Sequence, residues 1–207
     1  MLTDNAYSGL NDTHMDVLQE IGNIGAGNAA TSLSVMMGTP VDISLPKVNL
    51  VGFNEVADVM GGAESIGYGV LVSLEGDIDG MMMFILDKRF AHQILNVLMG
   101  GSYENFDELD EISFSAIKEI GNILSASYVN SIAELTGLRI NLSVPSVSID
   151  MIGAMLNVPI VKFGAIGDKV LFIEEQFCSN QEVASSHMVL FAEIESLNLI
   201  LRKLGLM

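Results

Sequence analysis

The sequence predicts an α/β fold: two repeated α-β-(α)-β-β-α units joined as one pseudo-twofold domain, with two long helices packed on a joined β-sheet. Three observations predict it. Shifted by 99 residues, segment 18–48 (LQEIGNIGAGNAATSLSVMMGTPVDISLPKV) lies on 117–147 (IKEIGNILSASYVNSIAELTGLRINLSVPSV), with ten of the 31 positions identical. In both copies apolar residues first recur at helical spacing, then fall into short alternating runs that suit strands. Neither unit can easily bury a sheet face by itself, so a shared sheet is the economical arrangement. Two independent domains are the alternative.

The units span 10–100 and 107–206, separated by the glycine- and acid-rich stretch GGSYENFDELDE. Each opens with a long helix, because Asn11 and Asp110 stand in equivalent places and cap well, and Gly38 and Gly137 suit the other end. Strands follow at Val41–Leu45 and Arg139–Val144, then short helices at Asn54–Met60 and Val147–Leu156. Hairpins are expected from Gly69–Glu75 with Met81–Leu86, and from Ile160–Ala165 with Lys169–Ile173. A helix closes each unit, in the second over about Glu182–Leu204, with Leu190, Ile194, Leu197, Leu201 and Leu204 on one stripe. EGDIDG at Glu75–Gly80 begins like a calcium loop, but Leu86 stands where the closing Glu is required, so it reads as the hairpin turn. The 13 methionines, Met81-Met82-Met83 included, suit core filling.

Composition narrows the function. The chain of 207 residues carries 9 Lys+Arg against 26 Asp+Glu, a net charge of −17. Such a surface repels nucleic acid and anionic lipid. No run is long enough to insert in a membrane, and no signal peptide is visible at the start. A lone cysteine, Cys178, excludes an internal disulfide or a multi-Cys metal site and fits a reducing cytoplasm. The three histidines, His14, His92 and His187, are scattered and expected to be structural or exposed, and no metal site is expected.

The long helices have two faces. Met15, Leu18, Ile21, Gly25, Ala29, Leu33 and Met36 make a core stripe, matched by Phe114, Ile117, Ile120, Leu124, Tyr128, Ile132 and Leu135. The other stripe is Asp16, Glu20, Asn23, Gly27, Thr31 and Ser34, matched by Ser115, Glu119, Asn122, Ala126, Asn130 and Ala133. It could be a solvated face, but such faces usually carry Lys, Glu and Gln. Small residues around one acid and one amide, one turn apart, suit the approach of another surface. Asp16 and Glu20 are like charges at i, i+4, which a cation from outside would relieve. The glycines of GNIGAG lack the order and the preceding strand of a phosphate loop. Gly22 recurs as Gly121, while Gly25 and Gly27 become Leu124 and Ala126, which points to local close packing in the first copy.

An amide can hold a water by donating and accepting hydrogen bonds, and a carboxylate beside it can act as a base or grip a cation. With no nucleophile–base set, this face would be a poor active site alone. It could complete a partner's phosphoryl site by orienting the attacking water.

The spacing Asp/Ser, three residues, Glu, two residues, Asn, 22 residues, Pro occurs twice without a gap, as Asp16-Glu20-Asn23-Pro46 and Ser115-Glu119-Asn122-Pro145. By it the chain resembles the CheC/CheX/FliY family of bacterial chemotaxis phosphatases, and the two-unit order is closest to CheC members with their CheC-like fold. The resemblance implies that phosphorylated CheY is the substrate. Catalysis would rest on Glu20, Asn23, Glu119 and Asn122: the amides align water, and the acids grip the lysine of CheY. Asp16 and Ser115 would support them, and Pro46 and Pro145 would shape the fold. The magnesium would belong to CheY, with no cofactor of this chain's own. It also implies binding of CheD through SIDMIGAML, Ser148–Leu156, with Asp150, Met151 and Ile152 as contact residues. Rival readings are a CheY-P sink or CheD-sequestering adaptor that does not catalyse, and an acidic scaffold.

Overall fold

The computed structural model describes residues 10–101, 109–163, 169–179 and 182–206. The first long helix, α1 (Asp12–Met37), begins at Asn11, whose side chain accepts from His14 N at 3.1 Å while Asn11 N donates to His14 Nδ1. It stops at Gly38, which adopts φ 63°, a turn that glycine makes without strain. Then come β1 (Asp42–Ile43), β2 (Lys47–Gly52), α2 (Phe53–Val59), β3 (Ile66–Gly76), β4 (Gly80–Leu86) and α3 (Lys88–Met99). The second half repeats the order as α4 (Glu111–Thr136), β5 (Ile140–Leu142), β6 (Ser146–Met151), α5 (Ile152–Phe163), β7 (Lys169–Ser179), β8 (Glu182–Ala192) and α6 (Ile194–Lys203). Asp110 caps α4 by accepting from Ser113 N and Oγ, and these bonds hold its carboxyl below the usual carboxylate range.

One sheet of eight strands, in the order β1-β7-β8-β4-β3-β5 with β2 also on β7 and β6 also on β3, carries both halves. The pairing crosses over. The strands after α1 lie on the second half's hairpin, and those after α4 lie on the first half's. Lys47–Gly52 runs against Glu174–Lys169 as Ser146–Met151 runs against Leu71–Ile66. The halves meet along β4 and β8, with the pseudo-dyad near the Phe84–Met188 pair.

Both sheet faces are covered. Met82, Phe84 and Leu86 join the larger core beneath α1, α3 and α4, while Met81, Met83 and Ile85 join a second core with Val56, Met155 and Leu156 of α2 and α5. Strand β4 is therefore buried along its whole length, and its three methionines are core residues. One cross-strand pair breaks the symmetry. Val72 and Met82 pair between β3 and β4, and Glu175 and Ser186 pair in the matching place between β7 and β8. All four are buried, yet among the described residues neither the Glu175 carboxyl nor the Ser186 hydroxyl has a hydrogen-bond partner. Burial pushes the Glu175 carboxyl up to about 8.

Several expected boundaries are corrected. The strands expected at Val41–Leu45 and Arg139–Val144 are only Asp42–Ile43 and Ile140–Leu142, and each is followed by a second strand, β2 or β6, that was not expected. The first short helix stands close to its expected bounds. The second begins at Ile152, because Val147–Met151 is already paired with β3. Ile160–Phe163 is helical, not the first strand of a hairpin, and 164–165 lie outside the described residues. Its β-branched Ile160-Val161 looks like strand, but Ile152, Met155 and Leu156 anchor α5 to the core at helical spacing and override that preference. The second hairpin is thus β7–β8, and the closing helix shrinks to Ile194–Lys203. Leu190 lies on β8, which is buried on both faces and so imitated a helical stripe. EGDIDG is the β3–β4 turn. Gly76, at φ 120°, has Arg139 O 2.6 Å from where a Cβ would stand, and Asp77 holds Arg139 N at 2.8 Å. Most of the expected linker, 102–108, lies outside the described residues.

Candidate functional site

The Glu/Asn turn of each long helix sits on the outward face. Glu20, Glu119 and Asn122 are exposed and Asn23 is half-buried; Asp16 and Ser115 are exposed one turn earlier. The core stripes point inward as expected in their middle parts, whereas Phe114 and Leu135 near the ends of α4 are exposed. Gly22 and Gly121 let this turn lie close to the sheet. A Cβ on Gly22 would stand 3.1 Å from Val48 Cγ2, and one on Gly121 would collide with Val70 Cγ1. The remaining glycines of the opening cluster separate. Gly25 makes room for the ring of Tyr128 on α4, since a Cβ there would stand 2.6 Å from a ring carbon, while Gly27 faces open space.

In the first copy the amide of Asn23 is held at both ends. Its Nδ2 donates to Glu20 Oε2 at 3.3 Å, and its Oδ1 accepts from Gln19 Nε2 at 3.1 Å. Gln19 is itself fixed by backbone: its Oε1 accepts from Val48 N at 3.1 Å and its Nε2 also donates to Pro46 O. The orientation then follows without choice. Val48 N–H demands the oxygen of Gln19, so the Gln19 NH2 faces Asn23, so Asn23 turns its oxygen to Gln19 and its NH2 to Glu20. One N–H and one acceptor site remain on Asn23, enough to hold one water from both sides.

The second copy lacks this clamp. Lys118 stands where the first copy has Gln19, and among the described residues no hydrogen bond joins Glu119 to Asn122. There Ser115, Lys118, Glu119 and Asn122 line an open cleft of about 310 Å³ whose far wall is Ser143, Val144 and Pro145. The loop leading to each proline is fastened to the other half's hairpin. Ser44 N donates to Gln176 O at 2.8 Å and Ser44 Oγ accepts from Gln176 N; Ser143 N donates to Ser73 O at 3.0 Å and Ser143 Oγ accepts from Ser73 N. Gln19, Ser44 and Ser143 are not singled out by sequence reasoning. The repeat identity Ser44/Ser143 is visible there, but its partners in the sheet are not, and Gln19 drops out of a search for shared residues because its counterpart is lysine.

Around the second short helix, Asp150 is exposed at the end of β6 and its carboxylate accepts from Met151 N at 2.8 Å. Met151 is exposed, but Ile152 is 4% exposed and belongs to the core, so it supports this surface from beneath. The histidines have structural places: His14 at the α1 cap, His92 at 2.6 Å from Tyr68 Oη, and His187 stacked on Phe172. Among the described residues no three His, Cys, Asp or Glu side chains gather as a metal site, and no helix is long and apolar enough to cross a membrane.

The profile of the CheC-like family matches residues 14–50 and 112–149, the two segments that carry the Glu/Asn turns and their prolines. The chain is 32% identical to CheY-P phosphatase CheC of Bacillus subtilis over 203 residues, covering 96% of this chain and 97% of that protein. Among solved structures, Thermotoga maritima FliY superposes with a TM-score of 0.75 at 27% identity over 95% of this chain and 98% of that one. The FliM middle domain from H. pylori superposes with a TM-score of 0.70 at 12% identity over 94% and 99%, a likeness of fold alone.

Proposed function

The chain belongs to the CheC-like family, and on that premise we propose that its two Glu/Asn turns complete the active site of phosphorylated CheY. The protein is a phosphatase in chemotaxis, and the relative similar over nearly its full length carries CheY-P phosphatase in its name. The observation that carries the finer reading is the presentation of Glu20/Asn23 and Glu119/Asn122 on outward helix faces at matching turns.

The chemistry follows from what these groups can do. An aspartyl phosphate needs a water in line with the bond from phosphorus to the aspartyl oxygen, and an amide can fix that water without exchanging a proton. Asn23 and Asn122 take this role. Glu20 and Glu119 grip the lysine of CheY, which anchors the amide at the phosphorus. The magnesium would be that of CheY, where it would offset charge on the phosphoryl oxygens. Water attacks phosphorus, the bond to the aspartyl oxygen breaks, and inorganic phosphate and a free aspartate result. Asp16 and Ser115 support the turns. CheD acts as modulator through the exposed end of β6, with Asp150 and Met151 as contacts, and the protein works in the cytoplasm.

The lifetime of phosphorylated CheY tests this against the sink reading. Asn23→Ala with Asn122→Ala is expected to cut hydrolysis at least ~100-fold, the scale of losing water alignment, with binding little changed. Glu20→Ala with Glu119→Ala is expected to lose binding. A double Asn variant that shortens the lifetime of phosphorylated CheY as well as wild type would overturn the water-aligning role of the amides. Asp150→Ala is expected to abolish any effect of added CheD while sparing basal hydrolysis.

A further inference from the structure

Two of the most exposed aliphatic side chains are equivalent: Leu45 is 81% and Val144 is 75% exposed, each directly before the motif proline. Stray exposed aliphatics are common on proteins, and Val35, 80% exposed, is one, since its counterpart is Glu134. Leu45 and Val144 differ in three ways. They recur at the same place in both copies. They are held in place: Ser44 and Ser143 each make two hydrogen bonds to a neighbouring strand, and the following proline restricts the residue before it to extended backbone. They also adjoin the Glu/Asn turns, Val144 directly and Leu45 through Pro46. Val144 walls the cleft that holds Glu119 and Asn122, and Leu45 precedes Pro46, whose carbonyl takes the Gln19 bond that orients Asn23.

We infer that Leu45 and Val144 are docking residues, paired apolar prongs that seat in an apolar patch of phosphorylated CheY next to its phosphoryl group. The inference rests on the phosphatase reading above. Polar groups on an acidic surface supply orientation, but a rigid aliphatic side chain loses little entropy on binding and supplies contact area. With the helix turn on one side and the prong on the other, the partner is gripped at two points, which sets the depth to which the amide reaches.

Hydrolysis measured over a range of CheY-P concentrations tests this. Leu45→Ser with Val144→Ser is expected to raise KM roughly tenfold, the effect of losing one well-packed anchor per site, with kcat unchanged and the far-UV circular dichroism of wild type. Leu45→Met with Val144→Ile is expected to keep KM within about twofold, because the apolar contact survives. Val35→Ser, about 18 Å along the helix axis from Asn23, serves as the control for loss of an exposed aliphatic. A wild-type KM in the double Ser variant, or a fall in kcat at unchanged KM, overturns the inference while leaving the phosphatase reading intact. A wild-type protein without effect on CheY-P overturns both.

Discussion

Gln19 and Gly27 show how differently neighbouring positions on one helix are constrained. Gln19 commits its hydrogen-bonding capacity to Pro46, Val48 and Asn23, so in the proposed mechanism it is a positioning residue that works through Asn23. In an Asn122→Ala background, Gln19→Ala is expected to lower kcat roughly tenfold through loss of amide orientation, with KM changed less than twofold. Rescue by Gln19→Glu is not expected, because a carboxylate cannot donate to Asn23. A Cβ placed on Gly27 would have no neighbour within 4 Å, and its counterpart is already Ala126. Gly27→Ala should therefore stabilise by about 0.5–1 kcal/mol in thermal unfolding. Gly121→Ala should destabilise by about 1–3 kcal/mol, since its Cβ would overlap Val70. Repetition made Glu20, Asn23 and Gly22 legible in the sequence, since each appears twice. It could not reveal Gln19, whose importance lies in bonds to a loop 27 residues away.

At the scale of elements, β7 and β8 carry a departure from an apolar interior that their counterparts β3 and β4 do not share. Glu175 titrates near 8 in the fold against an ordinary 4.5, so the folded chain keeps a proton that the unfolded chain releases. The stability this proton confers is complete below about pH 4.5 and is lost as pH rises through 8. Wild type should thus lose on the order of a few kcal/mol between pH 5 and 8 relative to Glu175→Gln. Unfolding midpoints of both proteins across that range check it, and groups common to both, the burial-lowered His187 included, cancel in the difference. Glu175→Val, which copies Val72, should be the more stable protein at pH 8. The long helices were legible because caps and period agree over 26 residues in each. The β6–α5–β7 stretch was not, because α5, at 12 residues, outgrows its 7-residue counterpart α2 and moves the hairpin along the chain.

For the whole molecule, crossed pairing matters more than the repeat itself. Each half lends its two short strands to the other's hairpin, and β4 meets β8 along a seven-residue register. Heat should therefore unfold the chain in one step, with calorimetric and circular dichroism midpoints coinciding. A fragment of residues 1–100 should yield no folded monomer. It should either remain unfolded or find a second copy of itself, as sedimentation would show, and a folded monomeric half would contradict this. The existence of two similar units could be read from the letters; which strand lies beside which could not, because period and propensity carry no information about partners distant in the chain.

The serine bridges give this exchange a further meaning. The loop that serves Glu20 and Asn23 hangs on Gln176, and the loop that serves Glu119 and Asn122 hangs on Ser73. Custody of each Glu/Asn turn is therefore reciprocal: a lesion in either hairpin is expressed not in its own repeat but at the turn that the other repeat supplies.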